Sequence, residues 1–152
     1  MDIQTGAQTC YQIGYHIVWG VKYHKHLLNE EMKKFLVNLI KDVCESYDYH
    51  FYCLGIASNH IHFFAGAAPK IAPAKIAQVV KSITARELFK NFPQLKKQLW
   101  GGEMWKNGYY VGTIGEGQTE AIILKYINKQ TDESKKGRNN PKQYIKQLKL
   151  FY

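Results

Sequence analysis

The sequence predicts an α+β domain built on an antiparallel sheet. Runs rich in aromatic and β-branched residues, at 10–19, 49–57, from His60 onward and at 108–114, read as strands. Between them, apolar residues recur at helical spacing after Asn29 and after Pro73. Only Ser58 and Asn59 separate the second and third strands. So short a link cannot cross over to a parallel neighbour, so these two strands form a hairpin.

The first strand reads Cys-Tyr-Gln-Ile-Gly-Tyr-His-Ile-Val-Trp over 10–19, and nothing before Thr9 is expected to be ordered. A basic, aromatic loop follows, Gly20 to His26, whose His24 and His26 lack apolar flanks and read as solvated or phosphate-facing. The first helix is capped by Asn29 and favoured by Glu30 and Glu31 beside its N-terminal dipole. Met32, Phe35, Leu36, Leu39, Ile40 and Val43 give it one apolar stripe. The second helix opens on Pro73, where a missing N–H costs nothing, and buries Ile76, Val79, Val80, Ile83 and Leu88. Pro93 ends it. Gly115 and Gly117 then make a flexible joint before a third helix, capped by Thr119, that carries Tyr126 and Gln130 one turn apart. Residues 131–140 lack apolar content and read as a flexible linker to a short terminal helix opened by Pro141.

The chain's 152 residues suit a single domain spanning 1–152. Lys and Arg number 21 against 12 acids, a net charge of +9, which favours a polyanionic partner. Nucleic acid and an anionic membrane both fit that description, and Lys22, Lys75, Lys81, Arg86, Lys125 and Lys129 are the candidate contacts for a nucleic acid. Cys10, Cys44 and Cys53 are scattered and form no CxxC pair, so neither a disulfide framework nor a structural zinc site is expected. With no apolar run near the length of a bilayer and no signal pattern, the expectation is a cytoplasmic protein with no membrane partner.

The stretch that carries chemistry is Asn59-His60-Ile61-His62-Phe63-Phe64. Alternation along a strand puts His60 and His62 on one face and Ile61 and Phe63 on the other. Two imidazoles on a rigid surface can share a divalent metal, but they do not complete a site. Gln130 can offer an amide oxygen as third ligand, and Tyr126 a phenol to the same place. A phenolate attacking a phosphodiester forms a covalent phosphotyrosine and conserves the bond for rejoining. Without those partners the histidines would read as hydrogen-bonded core residues, Tyr126 as packing and Gln130 as a surface amide. His16 and His50 read as structural, and Trp100 and Trp105 as core or interface residues, with base stacking as a second option.

At these residues the sequence resembles the single-tyrosine HUH transposases of small bacterial and archaeal insertion sequences. His60-Ile61-His62 matches the family's His-hydrophobic-His motif. Tyr15 to Trp19 followed by Lys22-Tyr23 resembles its first strand, Tyr110 to Gly115 its glycine-bearing strand, and Tyr126-Ile127-Asn128-Lys129-Gln130 its tyrosine helix. The resemblance implies a ferredoxin-like sandwich with a mobile C-terminal tyrosine helix. It also implies a homodimer in which one subunit's histidines meet the other's tyrosine. Such proteins bind DNA hairpins at element ends and cleave single strands with Mg²⁺ or Mn²⁺, leaving a 5′-phosphotyrosine and a free 3′-OH. Where similar proteins often carry Pro-Asp before the first histidine, this chain has Ser58-Asn59. Asn59 can accept a hydrogen bond from an imidazole but supplies no carboxylate. Two rival functions compete with this one. A non-catalytic single-stranded nucleic-acid-binding module would explain the charge and the aromatics but needs no histidine pair. A metal-dependent phosphatase or hydrolase would need Asp or Glu ligands that are missing around 58–66.

Overall fold

The structure, a computed structural model, describes residues 2–114. The expected tyrosine helix, the 131–140 linker and the terminal helix lie outside the described residues.

A small hairpin of β1 (Gln4–Thr5) and β2 (Cys10–Tyr11) precedes β3 (Tyr15–Gly20). The expectation of disorder before Thr9 is therefore corrected, and the expected strand over 10–19 is divided between β2 and β3. Then come α1 (Glu30–Tyr47), β4 (His50–Ile56), β5 (His60–Gly66), α2 (Pro73–Asn91), a short α3 (Leu95–Gln98) and β6 (Tyr110–Thr113). The four long strands form one sheet in the order β4-β5-β3-β6, with every neighbouring pair antiparallel. From β3 onward the chain runs β-α-β-β-α-β with spatial order second, third, first, fourth, the ferredoxin-like arrangement. The hairpin at Ser58-Asn59 forms as expected and puts β5 inside the sheet.

The helix ends follow their sequence signals. Asn29 Oδ1 accepts from the Met32 amide at 2.9 Å, and Pro73 opens α2. Helix α1 stops where Asp48 turns left-handed (φ 58°) and its amide reaches back to the carbonyls of Cys44 and Glu45. Both helices pack on one face of the sheet, where Ile17, Trp19, Ile61, Phe63 and Ala65 meet Met32, Leu36, Ile40, Ile76, Val80 and Leu88 in one core. Burial of Leu95 and Leu99 ties the segment after α2 to that core. Trp105 is buried too, donating from Nε1 to Thr84 Oγ1 at 3.0 Å, whereas Trp100 is exposed, which removes the core reading for it and leaves the interface and base-stacking ones. No described helix is long and apolar enough to cross a membrane.

Candidate active site

With the core on one face, the alternate residues of β5 point to the other. Antiparallel partners share a face, so His60 stands beside Gly20, His62 beside Val18 and Gly55, and Phe64 beside His16 and Cys53. Gly20 beside His60 and Gly55 beside His62 each leave one flank of the pair without a side chain, while Val18 borders His62 on the other. The His60 and His62 rings lie 4.9 Å apart, edge to face.

Each imidazole is oriented by a bond at Nδ1. His60 Nδ1 donates to Asn59 Oδ1 at 2.7 Å, the contact that the sequence allowed Asn59 to make. His62 Nδ1 and His16 Nε2 are joined at 2.9 Å, and the His16 ring stacks on Phe64 at 4.2 Å between centroids. Metal-bound histidines are commonly held in this way, by a bond at one ring nitrogen that fixes the tautomer and leaves the other to ligate. Burial lowers all three imidazoles from their ordinary value. His16 falls to about 4; His60 is lowered by burial and by neighbouring His26; His62, fully buried, lies well below 6.5 through burial and the nearby His60 and His16. At neutral pH these rings are uncharged, the state a metal ligand requires.

His16, read from the sequence as structural, is buried and bonded directly to this pair, a placement the sequence did not foresee. It is 46 positions from His62 and meets it only through the β3–β5 register. The signal available was its place in a strand three residues before Trp19, with an alternating face.

Among the described residues no group of three His, Cys, Asp or Glu side chains converges on a metal position. A divalent ion at His60 and His62 therefore fits as a two-imidazole half-site. Tyr126, Gln130, Lys125 and Lys129 lie outside the described residues. Of the candidate DNA contacts, Lys75 and Arg86 are exposed on α2. Lys22 is ion-paired with Glu103 at 2.7 Å, and the half-buried Lys81 donates to the carbonyls of Lys106 and Gly108 at 3.0 and 2.7 Å. His26, expected to be solvated or phosphate-facing, is exposed but bonds Ser58 Oγ at 2.5 Å, bracing the turn before His60.

A family model described as "Transposase IS200 like" matches residues 9–130. The chain belongs to the IS200-like transposase family. The ISDra2 transposase TnpA of Deinococcus radiodurans is 32% identical over 133 residues, which are 88% of this chain and 94% of that protein. The IS200 element transposase of Salmonella typhimurium is 28% identical over 136 residues, 90% of this chain and 88% of the relative. Among solved structures, a transposase from Deinococcus radiodurans R1 superposes with a TM-score of 0.69 at 29% identity, covering 84% of this chain and 97% of the other. A REP-associated tyrosine transposase bound to a REP hairpin superposes at 0.53 and 8% identity, covering 86% and 72%, and shares the fold. As an IS200-like transposase the chain is a DNA-cleaving, strand-transferring enzyme. Its membership spans the histidine strand and the Tyr126–Gln130 segment alike.

Proposed function

We propose that this transposase cleaves and rejoins single-stranded DNA at the hairpin ends of a mobile element through a 5′-phosphotyrosine on Tyr126. The observation that carries the reading is the pair of neutral imidazoles of His60 and His62, each fixed at Nδ1, on the non-core face of the central strand. His60 and His62, with the Gln130 amide oxygen, are the residues that would hold Mg²⁺ or Mn²⁺. The bound cation would polarise the scissile phosphate and stabilise charge on its oxygens. The Tyr126 oxygen attacks phosphorus, the bond to the 3′ oxygen of the preceding nucleotide breaks, and that oxygen leaves as a free 3′-OH. Because a phenol is a weak nucleophile near neutral pH, its proton passes to water, with the ammonium of Lys125 or Lys129 favouring the phenolate, and the departing 3′ oxygen takes up a proton from water. Rejoining is the reverse attack by a 3′-OH. The enzyme acts as a homodimer, with one subunit's histidines completed by its partner's tyrosine segment.

The supporting experiment incubates the purified chain with labelled hairpin-bearing single strands and Mg²⁺ or Mn²⁺. A covalent adduct is expected with wild type and none with Tyr126→Phe. If wild type also gives no adduct on cognate DNA, the reading fails.

A further inference from the structure

Two loops beside the histidine strand are bound to one another. The amide of Lys22 donates to the Met104 carbonyl at 2.9 Å, the Lys106 amide to the Gly20 carbonyl at 2.8 Å, and Lys25 Nζ to the Gln98 carbonyl at 2.5 Å; the Lys22–Glu103 pair adds a fourth tie. The first loop is also joined to the start of β5, because the Val21 amide donates to the Asn59 carbonyl and the Leu28 amide to that of Ser58. The paired loops therefore sit at the end of the sheet where His60 begins its strand.

Each loop exposes a large aromatic. Trp100 is 85% exposed and Tyr23 53%, in a chain whose Trp19 and Trp105 are buried. Both stand in left-handed turns. Tyr23 and His24 have φ of 61° and 55°, which side-chain-bearing residues adopt rarely, and Gly101 and Gly102 have φ of 78° and 75°. An added Cβ at either glycine would meet nothing within 4 Å, so what these positions require is the backbone turn that follows Trp100. Backbone of this kind persists where surrounding bonds over-determine it, and it concentrates at ligand clamps. Residues 20–28 and 94–106 together hold five lysines and one acid, Glu103, whose carboxylate Lys22 answers.

Exposed rings set among cations suit a strand of unpaired bases, whose faces stack on aromatics while lysines track the phosphates. Two exposed rings, one with Lys22 Nζ 5.7 Å from its centroid, fit unpaired bases better than duplex DNA or an acidic protein, neither of which offers open base faces. We propose that the Tyr23 and Trp100 loops form a stacking clamp for unpaired nucleotides of the DNA strand that enters the His60–His62 site. The proposal rests on single-stranded DNA being the substrate.

The test uses the full-length chain and a decathymidylate without added metal. Tryptophan emission of wild type is expected to quench on binding, and the quenching to vanish in Trp100→Phe, leaving only the buried indoles. Binding measured by anisotropy should weaken about 5- to 100-fold in Trp100→Ala and Tyr23→Ala, the range expected for losing one stacked base. Trp100→Phe should restore part of it, and duplex of equal length should bind all variants alike. Quenching that persists in Trp100→Phe, wild-type affinity in Trp100→Ala, or equal losses with Phe and Ala at 100 would overturn the clamp. So would a dimer that dissociates in Trp100→Ala, which would assign the face to a second copy of the chain. The two readings fail separately. Intact quenching with no Tyr126 adduct in wild type removes the strand-transfer reading alone, while normal adduct formation with unaltered affinity in Trp100→Ala removes the clamp alone.

Discussion

His16 fixes the ring of His62 from the neighbouring strand. Its Nε2 meets His62 Nδ1 at 2.9 Å, and stacking on Phe64 fixes its ring. Replacing such an orienting partner usually weakens metal binding by about 10- to 100-fold. His16→Phe should keep the stack and lose the bond, so Mn²⁺ titration followed by electron paramagnetic resonance should show weaker binding with little change in thermal stability. Unchanged affinity would reduce His16 to packing. The cysteines give a pH prediction. Burial pushes the Cys53 thiol from 9.0 up to about 12 and the Cys44 thiol up to about 11. A pKa raised in the folded state gives stability that is complete below the unfolded value and lost as pH climbs toward the folded one. The urea midpoint should therefore fall as pH rises from 9 to 11, and fall less in Cys53→Ala; identical slopes would refute the assignment. The pairing of His60 with Asn59 was legible because the two residues are adjacent, and the His16–His62 bond was not, because the partner arrives through strand register rather than spacing.

At the scale of elements, local signals were reliable wherever one residue type satisfies one physical need. Asn29 caps α1, Pro73 opens α2, and a two-residue link made the β4–β5 hairpin. The β1–β2 hairpin escaped notice because its paired residues, Gln4-Thr5 with Cys10-Tyr11, carry no apolar alternation. For Trp100 the sequence left core, interface and base stacking open, because its size argues for burial while the two glycines after it allow the left-handed turn beside which it is exposed. Gly66 yields a prediction here. A Cβ at this position would collide with the Ile13 carbonyl, which accepts from Tyr52 Oη at 3.1 Å, and with that hydroxyl itself. Gly66→Ala should cost about 1–3 kcal/mol in urea unfolding, typical of overpacking a tight site. A change within 0.5 kcal/mol would mean the strand end yields freely. Lys81, read from sequence as a DNA contact, holds the carbonyls of Lys106 and Gly108, so any substitution there acts on the Trp105 loop as well as on charge.

For the molecule as a whole, the family and the ferredoxin-like sheet were legible from four ordered segments, while the joining of histidines to Tyr126 depends on residues beyond those described. A mixing experiment addresses the proposed sharing of sites between subunits. Combining Tyr126→Phe with His60→Ala protein should recover cleavage that neither has alone, because one composite site in a mixed dimer keeps both functional halves. Mixtures as inactive as their components would place each site within a single chain. The position of β5 carries a further consequence. It is hydrogen-bonded along both edges, to β4 and to β3, and the turn leading into it is anchored where the Asn59 and Ser58 carbonyls accept from the amides of Val21 and Leu28. A strand held in this way releases its amides to solvent exchange only when the whole domain opens, not by fraying. The His60–His62 pair thus keeps its geometry for as long as the domain is folded.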